Sequence, residues 1–259
     1  MTNKFRIDTT ERFDHLRSAP IVEAVIEMRG LSSGDWHREA VLRQLEEKLP
    51  EYEVAEAGVK STIGLTQNSN DGHEVVTTSH STEVIGFRFR HRTEPYVSQF
   101  ERQLFLLSRL KPYEDWERFS KESLRLWLTY REIVGMKTVE RLGLRYVNVI
   151  DVPFQGLLSD YLTNLPQLPE GLPLPHVAFL YSDTMSVPES PYFITIRRTI
   201  QPNQEDDSTF GLIIDVDVFA NEPMVADENV ILNHLTSMRW LKNKSFFGTL
   251  TQRCIEELR

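Results

Sequence analysis

The sequence predicts an α+β fold made of two similar halves whose strands share one continuous, curved antiparallel sheet, with helices on one face. Three observations lead there. Several segments alternate apolar and polar residues with a period of two and are bounded by turn residues, the pattern of half-buried strands. Two longer stretches, around Trp127 and around Leu235, carry apolar residues at helical spacing. The order strand, helix, several strands, long helix occurs twice, giving an N-terminal extension at 1–18, a first repeat at 19–137 and a second at 138–259. The two halves share this order rather than residue identity, and side-by-side sheets covered by helices are the layer arrangement it permits.

In the first half, Val22, Ala24, Ile26 and Met28 alternate with Glu23, Val25, Glu27 and Arg29, which makes Ile21 to Arg29 a strand ended by Gly30. Asp35 is placed to cap a helix over Trp36 to Lys48, with Val41, Leu42, Leu45 and Leu49 as its apolar stripe and Pro50 as its stop. Val59 to Thr66 reads as a strand, Gln67 to Ser81 as a polar stretch with an Asn-Asp-Gly turn, and Val84 to Arg92 as a strand. Tyr96 to Arg109 gives one long strand or two short ones. An amphipathic helix follows Pro112 to about Val134, burying Trp116, Phe119, Leu124, Trp127 and Tyr130.

The second half starts with a strand over Arg141 to Asp151 and a short helix over Phe154 to Leu165. Pro166, Pro169, Pro173 and Pro175 stiffen the next connection. Three strands are expected at His176–Val187, Tyr192–Ile200 and Phe210–Ala220, with turns at Pro188 and at Asn203 to Ser208. A helix from about Ala226 to Asn243 carries Ile231, Leu235, Met238 and Leu241, and a terminal helix follows Phe246-Phe247-Gly248. This order is like that of TBP-like and steroidogenic-domain-like folds, a likeness of architecture that licenses no function.

Of the 259 residues, 40% are hydrophobic and 26% charged, the balance of a chain that folds. No apolar run reaches the roughly 18 residues of a membrane helix, and the first twenty residues have no apolar core of a signal peptide. The single cysteine, Cys254, can form no internal disulfide, so a reducing cytoplasm is the expected setting. Net charge is −9. Up to Lys137, 20 Lys and Arg stand against 22 Asp and Glu, whereas from Thr138 onward 9 stand against 16. That distribution disfavours duplex DNA, whose binding rests on cations neutralising phosphates.

Three strand constellations carry the functional expectations. Arg141 and Arg145 flank Gly143 on one face, where two guanidinium forks could grip a phosphate or carboxylate, or pair with acids on neighbouring strands. Arg88, Arg90 and Arg92 share the face of Gly86 and call for something anionic nearby: Glu27, Glu101, a ligand or another subunit. Asp215 and Asp217 lie in line with Phe219 and are weak candidates for Mg²⁺ or Ca²⁺, with Arg197 across a hairpin as their other partner. No phosphate loop, dinucleotide fingerprint, nucleophile elbow or zinc spacing occurs: His73, His80 and His91 lack cysteine partners, and Cys254 reads as a packed thiol.

Five segments together resemble a sporadically distributed family of prokaryotic proteins with no assigned activity. They are Ala19-Pro20-Ile21-Val22-Glu23-Ala24-Val25-Ile26-Glu27; Gly86-Phe87-Arg88-Phe89; Ser108-Arg109-Leu110-Lys111-Pro112-Tyr113 with Trp116; Arg141-Leu142-Gly143-Leu144-Arg145-Tyr146-Val147-Asn148; and Phe246-Phe247. The resemblance brings no catalytic residues, and its patchy occurrence implies accessory loci such as defence or toxin–antitoxin neighbourhoods.

The leading expectation is a non-enzymatic interaction protein without a cofactor. Its sheet face, with Arg88, Arg90, Arg141, Arg145 and Arg197, would meet a protein partner or a small anionic ligand, and it also permits self-association. The alternative is a metal-dependent phosphohydrolase of nucleotides or polyphosphate, similar to triphosphate-tunnel enzymes. Here Glu23-Ala-Val-Ile-Glu27-Met-Arg29 departs from their Glu-x-Glu-x-Lys opening. RNA binding along Arg88 to Arg92 is a third reading.

Overall fold

A computed structural model describes residues 5–34, 36–70, 73–154, 156–165, 170–171, 174, 178–202 and 208–259, with the backbone alone for 56–85. Its strands are β1 (Ile21–Ser32), β2 (Tyr52–Asn70), β3 (His73–His91), β4 (Tyr96–Glu101), β5 (Leu104–Leu110), β6 (Met136–Pro153), β7 (Leu180–Ser186), β8 (Tyr192–Pro202), β9 (Thr209–Ala220) and β10 (Met224–Val225). Its helices are α1 (Arg38–Lys48), α2 (Trp116–Val134), α3 (Glu228–Thr249) and α4 (Gln252–Leu258), with a 3₁₀ turn at Leu158–Asp160. The fold is α+β, and among the described residues no helix is long and apolar enough to cross a membrane.

All ten strands lie in one antiparallel sheet, ordered β2-β3-β4-β5-β1-β6-β9-β8-β7, with β10 added to β6. Strands β1 and β6 pair at its centre. From β1 the order runs outward through β5, β4, β3 and β2; from β6 it runs through β9, β8 and β7. Each later hairpin therefore returns from an edge towards the centre.

Register fixes which residues share a face. Ala24, Ile26 and Met28 pair with Tyr146, Leu144 and Leu142 of β6 and with Arg109, Leu107 and Phe105 of β5. The β9 partners of Leu142, Leu144 and Tyr146 are Ala220, Val218 and Val216. Apart from Arg109, these are the floor of the hydrophobic core, and all are buried. Helix α2 packs on β1, β5 and β6, and α3 on β6, β8 and β9.

The helix ends follow from local chemistry. Asp115 caps α2 by accepting the Arg118 N–H at 2.7 Å, and Gly135 ends it at φ 66°, a left-handed turn that glycine adopts without a Cβ clash. Asp227 caps α3 through the N–H groups of Asn229 and Val230. Trp116, Phe119, Leu124, Trp127 and Tyr130 are all buried, the stripe the spacing predicts. Tyr130 reaches across to Phe100 and Phe105, with ring centroids 5.6 and 6.3 Å away, and its hydroxyl donates to the Glu101 carbonyl.

Four expectations need correction. Helix α1 begins at Arg38 behind His37, which makes no side-chain cap, because Trp36 leaves the helix to stack on Phe87 at 6.2 Å. The polar stretch is strand: β2 and β3 pair from Tyr52↔His91 to Asn70↔His73, with register shifts at Val54/Glu56 and Gly58/Val59, since a ribbon rich in Val and Thr needs no apolar face to pair. The short helix expected at 154–165 is only the 3₁₀ turn. There Leu162 bridges to Leu250, and Thr163 bonds the carbonyls of Gly248 and Thr249, contacts a continuous helix would forfeit. Helix α3 also runs on to Thr249 rather than ending near Asn243, because Phe246 is buried and Phe247 stacks on Phe13 at 5.5 Å. The cap assigned to Asp35, the Asp71-Gly72 turn, the four connecting prolines, His176 and the Asn203 to Asp207 turn lie outside the described residues.

Residues 5–20 form no helix or strand yet are tied down. Ser18 N–H donates to the Leu258 carbonyl at 3.1 Å, Glu11 accepts from Trp240 Nε1 and from Lys244, and Asp14 pairs with Arg259.

Leu144→Ala at the central strand is expected to cost about 3 kcal/mol in urea unfolding, since a cavity there has no room to collapse. Asp115→Ala should cost about 1 kcal/mol, the usual loss of an N-cap.

Candidate functional site

The residues that alternate with the core floor form a charged lattice on the central strands. On β1 they are Glu23, Val25, Glu27 and Arg29; on β6, Arg141, Gly143, Arg145 and Val147. On β9 they are Asp215, Asp217 and Phe219, facing Arg197, Thr195 and Phe193 of β8. The arginines and aspartates singled out in the sequence do share this face.

They hold one another. Arg145 donates through Nε and Nη2 to the two oxygens of Asp215, at 2.7 and 2.9 Å, and Arg197 donates to the same carboxylate at 3.1 Å. Asp215 is nearly buried, with 7% of its side chain exposed, while Arg145 and Arg197 remain 45% and 42% exposed. Arg141 bonds Glu27 and approaches Asp217 at 3.5 Å. Arg29 pairs with Glu27 at 2.8 Å, and Glu23 accepts from Ser108 Oγ at 2.7 Å.

Gly143 explains the shape of the lattice. A Cβ there would lie 2.6 Å from Arg141 Nη1. The planar group for which the glycine leaves room is thus the guanidinium of Arg141 itself, folded back between Glu27 and Phe219, the two cross-strand neighbours of Gly143. The same guanidinium lies 5.0 Å from the Phe219 ring, and Phe219 stacks on the exposed Phe193 at 5.5 Å.

Electrostatics follow the pairing. The Asp215 carboxylate beside Arg145 raises the already high pKa of that guanidinium. Asp217 moves the other way: burial lifts its pKa above the carboxylate range, and Arg141 and Arg145 only partly offset this. Both aspartates therefore have guanidinium groups where a cation would sit. Among the described residues no three His, Cys, Asp or Glu groups converge as metal ligands.

Arg88 and Arg90 lie further out on the same face, exposed on β3, opposite Gln99 and Val97 of β4. Their β2 neighbours in register are Glu56 and Glu53, which places acidic positions opposite the arginine row. Arg92 lies just past the strand and pairs with Glu53 at 2.9 Å. Glu27 binds Arg29 and Arg141, and Glu101 accepts from Gln99. His91 Nδ1 accepts the N–H groups of Thr93 and Glu94 and so shapes a turn. Cys254 is buried, which pushes its thiol pKa up to about 11, away from nucleophilic use.

Sequence reasoning missed one feature, a cleft of about 790 Å³ bounded by residues 9–22, the Lys111–Glu117 turn, β6 and α3. Lys242 lines it, its Nζ 4.0 Å from the ring centroid of the buried Tyr146. Burial, helped by the nearby Arg239 charge, lowers the Lys242 pKa to about 7. Tyr113 and Tyr146 share a 2.8 Å hydroxyl contact, and burial raises both phenols, Tyr113 to about 12. A signal was present. Ile231, Leu235, Met238 and Lys242 follow helical spacing, so the lysine takes the next place on the buried stripe of α3.

A scan against protein-family models and a search of curated proteins found no match to this chain. The reading of its function rests on its own geometry.

Two outcomes test the electrostatics. Asp215→Asn, which leaves Arg145 and Arg197 without their shared carboxylate, should cost about 1–2 kcal/mol in urea unfolding, less than a fully buried pair because both arginines reach solvent. Lys242 titrates lower in the folded chain than its unfolded value of about 10.4. Between those values the folded state holds fewer protons, so stability climbs as pH rises from about 7 to about 10 and is lowest below 7. Lys242→Met should remove that slope and gain about 2 kcal/mol near pH 6, a gain that fades towards pH 10.

Proposed function

We propose that this chain is a non-enzymatic binding protein that meets a protein partner through the charged face of its central strands. The observation that carries this reading is the balance of that face. Arg88, Arg90, Arg141, Arg145 and Arg197 each have an acidic residue bonded to them or opposite them on a neighbouring strand. A surface for RNA would need cations in excess, to exchange for counterions along a phosphate chain. A metal-dependent phosphohydrolase would need aspartate oxygens open to a cation, and those of Asp215 and Asp217 face guanidinium groups.

What the lattice favours is recognition of another protein. Arginine and aromatic side chains are the anchors that protein interfaces concentrate, and alternating charges fix register and exclude wrong partners. Here half-exposed Arg145 and Arg197 are held in place by Asp215 beside the stacked Phe193 and Phe219. Little side-chain freedom is left to lose on binding.

This reading takes the two halves as a duplication joined at the β1–β6 seam, with the helices on the opposite face. The strand order, which runs outward from that seam on both sides, supports it, as do the packing of α2 and α3 on β6 and their places in the core. An accessory role in a defence or toxin–antitoxin setting fits a protein that acts by binding.

Benzoylphenylalanine in place of Phe193 should give a discrete cross-linked species in the native cell extract. The same group at Arg43, exposed on α1, should not. Arg145→Ala with Arg197→Ala should cut the yield at least about tenfold, the loss of roughly 1.4 kcal/mol or more of interface energy. Equal adducts from both positions, or none from position 193, would overturn the reading.

A further inference from the structure

The cleft beside α3 has a chemistry separate from the sheet face, since Tyr146 points to the opposite side of β6 from Arg145. Its carboxylates are engaged. Glu11 is held by Trp240 and Lys244, Asp14 by Arg259, and Glu117 by Arg239 at 3.4 Å. Glu114 pairs with Arg109 and Arg118, and Asp115 caps α2. The remaining charges facing the cleft are cationic or basic: Arg12, His15, Arg17 and Lys111 at the mouth, and Lys242. Among the described residues none of the cations Arg12, Arg17, Lys111 and Lys242 has a carboxylate partner. In a chain of net charge −9, this is a local excess of positive charge.

Lys242 is the unusual member. It is only partly exposed, lies against an aromatic ring and makes no hydrogen bond among the described residues. A buried ammonium without a counter-ion is costly, and an anion entering the cleft would remove that cost. Beside it, one hydroxyl of the Tyr113–Tyr146 pair donates to the other, and the acceptor's own proton has no partner among the described residues. Apolar walls complete the cleft: Phe13 stacked on Phe247, with Ile21, Leu16, Trp116 and Trp240. Its size is that of a small-molecule site.

We propose that this cleft binds a small organic anion, a carboxylate or phosphate monoester on an apolar body, with Lys242 as its counter-ion and the Tyr113–Tyr146 pair as hydroxyl donor. The anion replaces the partner that Lys242 lacks, while Arg12, Arg17 and Lys111 draw it in. Parts of four of the five segments in which the sequence resembles that prokaryotic family line the cleft: Ala19–Val22, Lys111–Tyr113 with Trp116, Tyr146 with Asn148, and Phe246-Phe247.

The test is calorimetric titration of the full chain with benzoate and phenyl phosphate, using benzamide as the uncharged control. At least one anion should bind saturably below about 10 mM, and benzamide should not. Binding should restore an ordinary ammonium to Lys242. Titration near pH 8 in buffers of different ionisation enthalpy should therefore show uptake of about half a proton or more. Lys242→Met, which the electrostatics predict to be the more stable protein, should lose both the binding and the proton uptake. Tyr113→Phe should weaken binding about tenfold, as loss of a hydrogen bond to a charged group does. Unchanged binding by Lys242→Met, or no saturable binding by either anion, would overturn the proposal. Neither outcome bears on the partner face.

Discussion

The antiparallel pairing of β1 with β6 is the constraint from which the rest of the structure follows. It links the two flanks of the sheet through backbone hydrogen bonds, and by alternation it assigns every side chain of the two strands to one side or the other. Ala24, Ile26, Met28, Leu142, Leu144 and Tyr146 go to the core; Glu27, Arg29, Arg141 and Arg145 go to the charged face. A slip of one residue would bury the charges and expose the core. The register is therefore held by the cost of desolvating a guanidinium as firmly as by the gain from burying leucine.

Much of this was legible in the sequence because it depends on local periodicity. The start of β1 and the buried stripe of α2 follow from spacing alone, whereas β1 runs past Gly30 to Ser32 and spacing leaves one strand or two open over Tyr96 to Arg109. Alternation also groups Arg141 with Arg145 and Asp215 with Asp217, while the register of β6 on β9 brings the two pairs to one face. What was not legible depends on distant partners. Trp36 leaves α1 for Phe87, and Thr163 gives up a helix for the carbonyls at the end of α3. The cleft needs chain from four separate parts of the sequence. Lys242 takes a place where the stripe calls for an apolar residue.

Charge in this molecule is arranged for local compensation rather than for a field. Asp215 serves two arginines, Glu27 serves two, and Gly143 lets one of them lie flat against the sheet. Such a lattice screens itself within a few ångströms, so its effect on a partner is one of contact and fit. The cleft is the opposite case. Its carboxylates are used elsewhere, and the low-lying pKa of Lys242 reports a charge that the protein leaves uncompensated.

The bonds from residues 5–20 to α3 and α4 have a consequence for the order of assembly. Glu11 to Lys244 spans 233 residues and Asp14 to Arg259 spans 245, so these contacts close nearly the whole chain into a ring. Closure of so long a loop is entropically dear and yields little until the sheet beneath it exists. Until α3 and α4 are in place the segment lacks these partners. The wall of the cleft thus settles only after the helices it binds, and nothing can be held beneath it before they are in place.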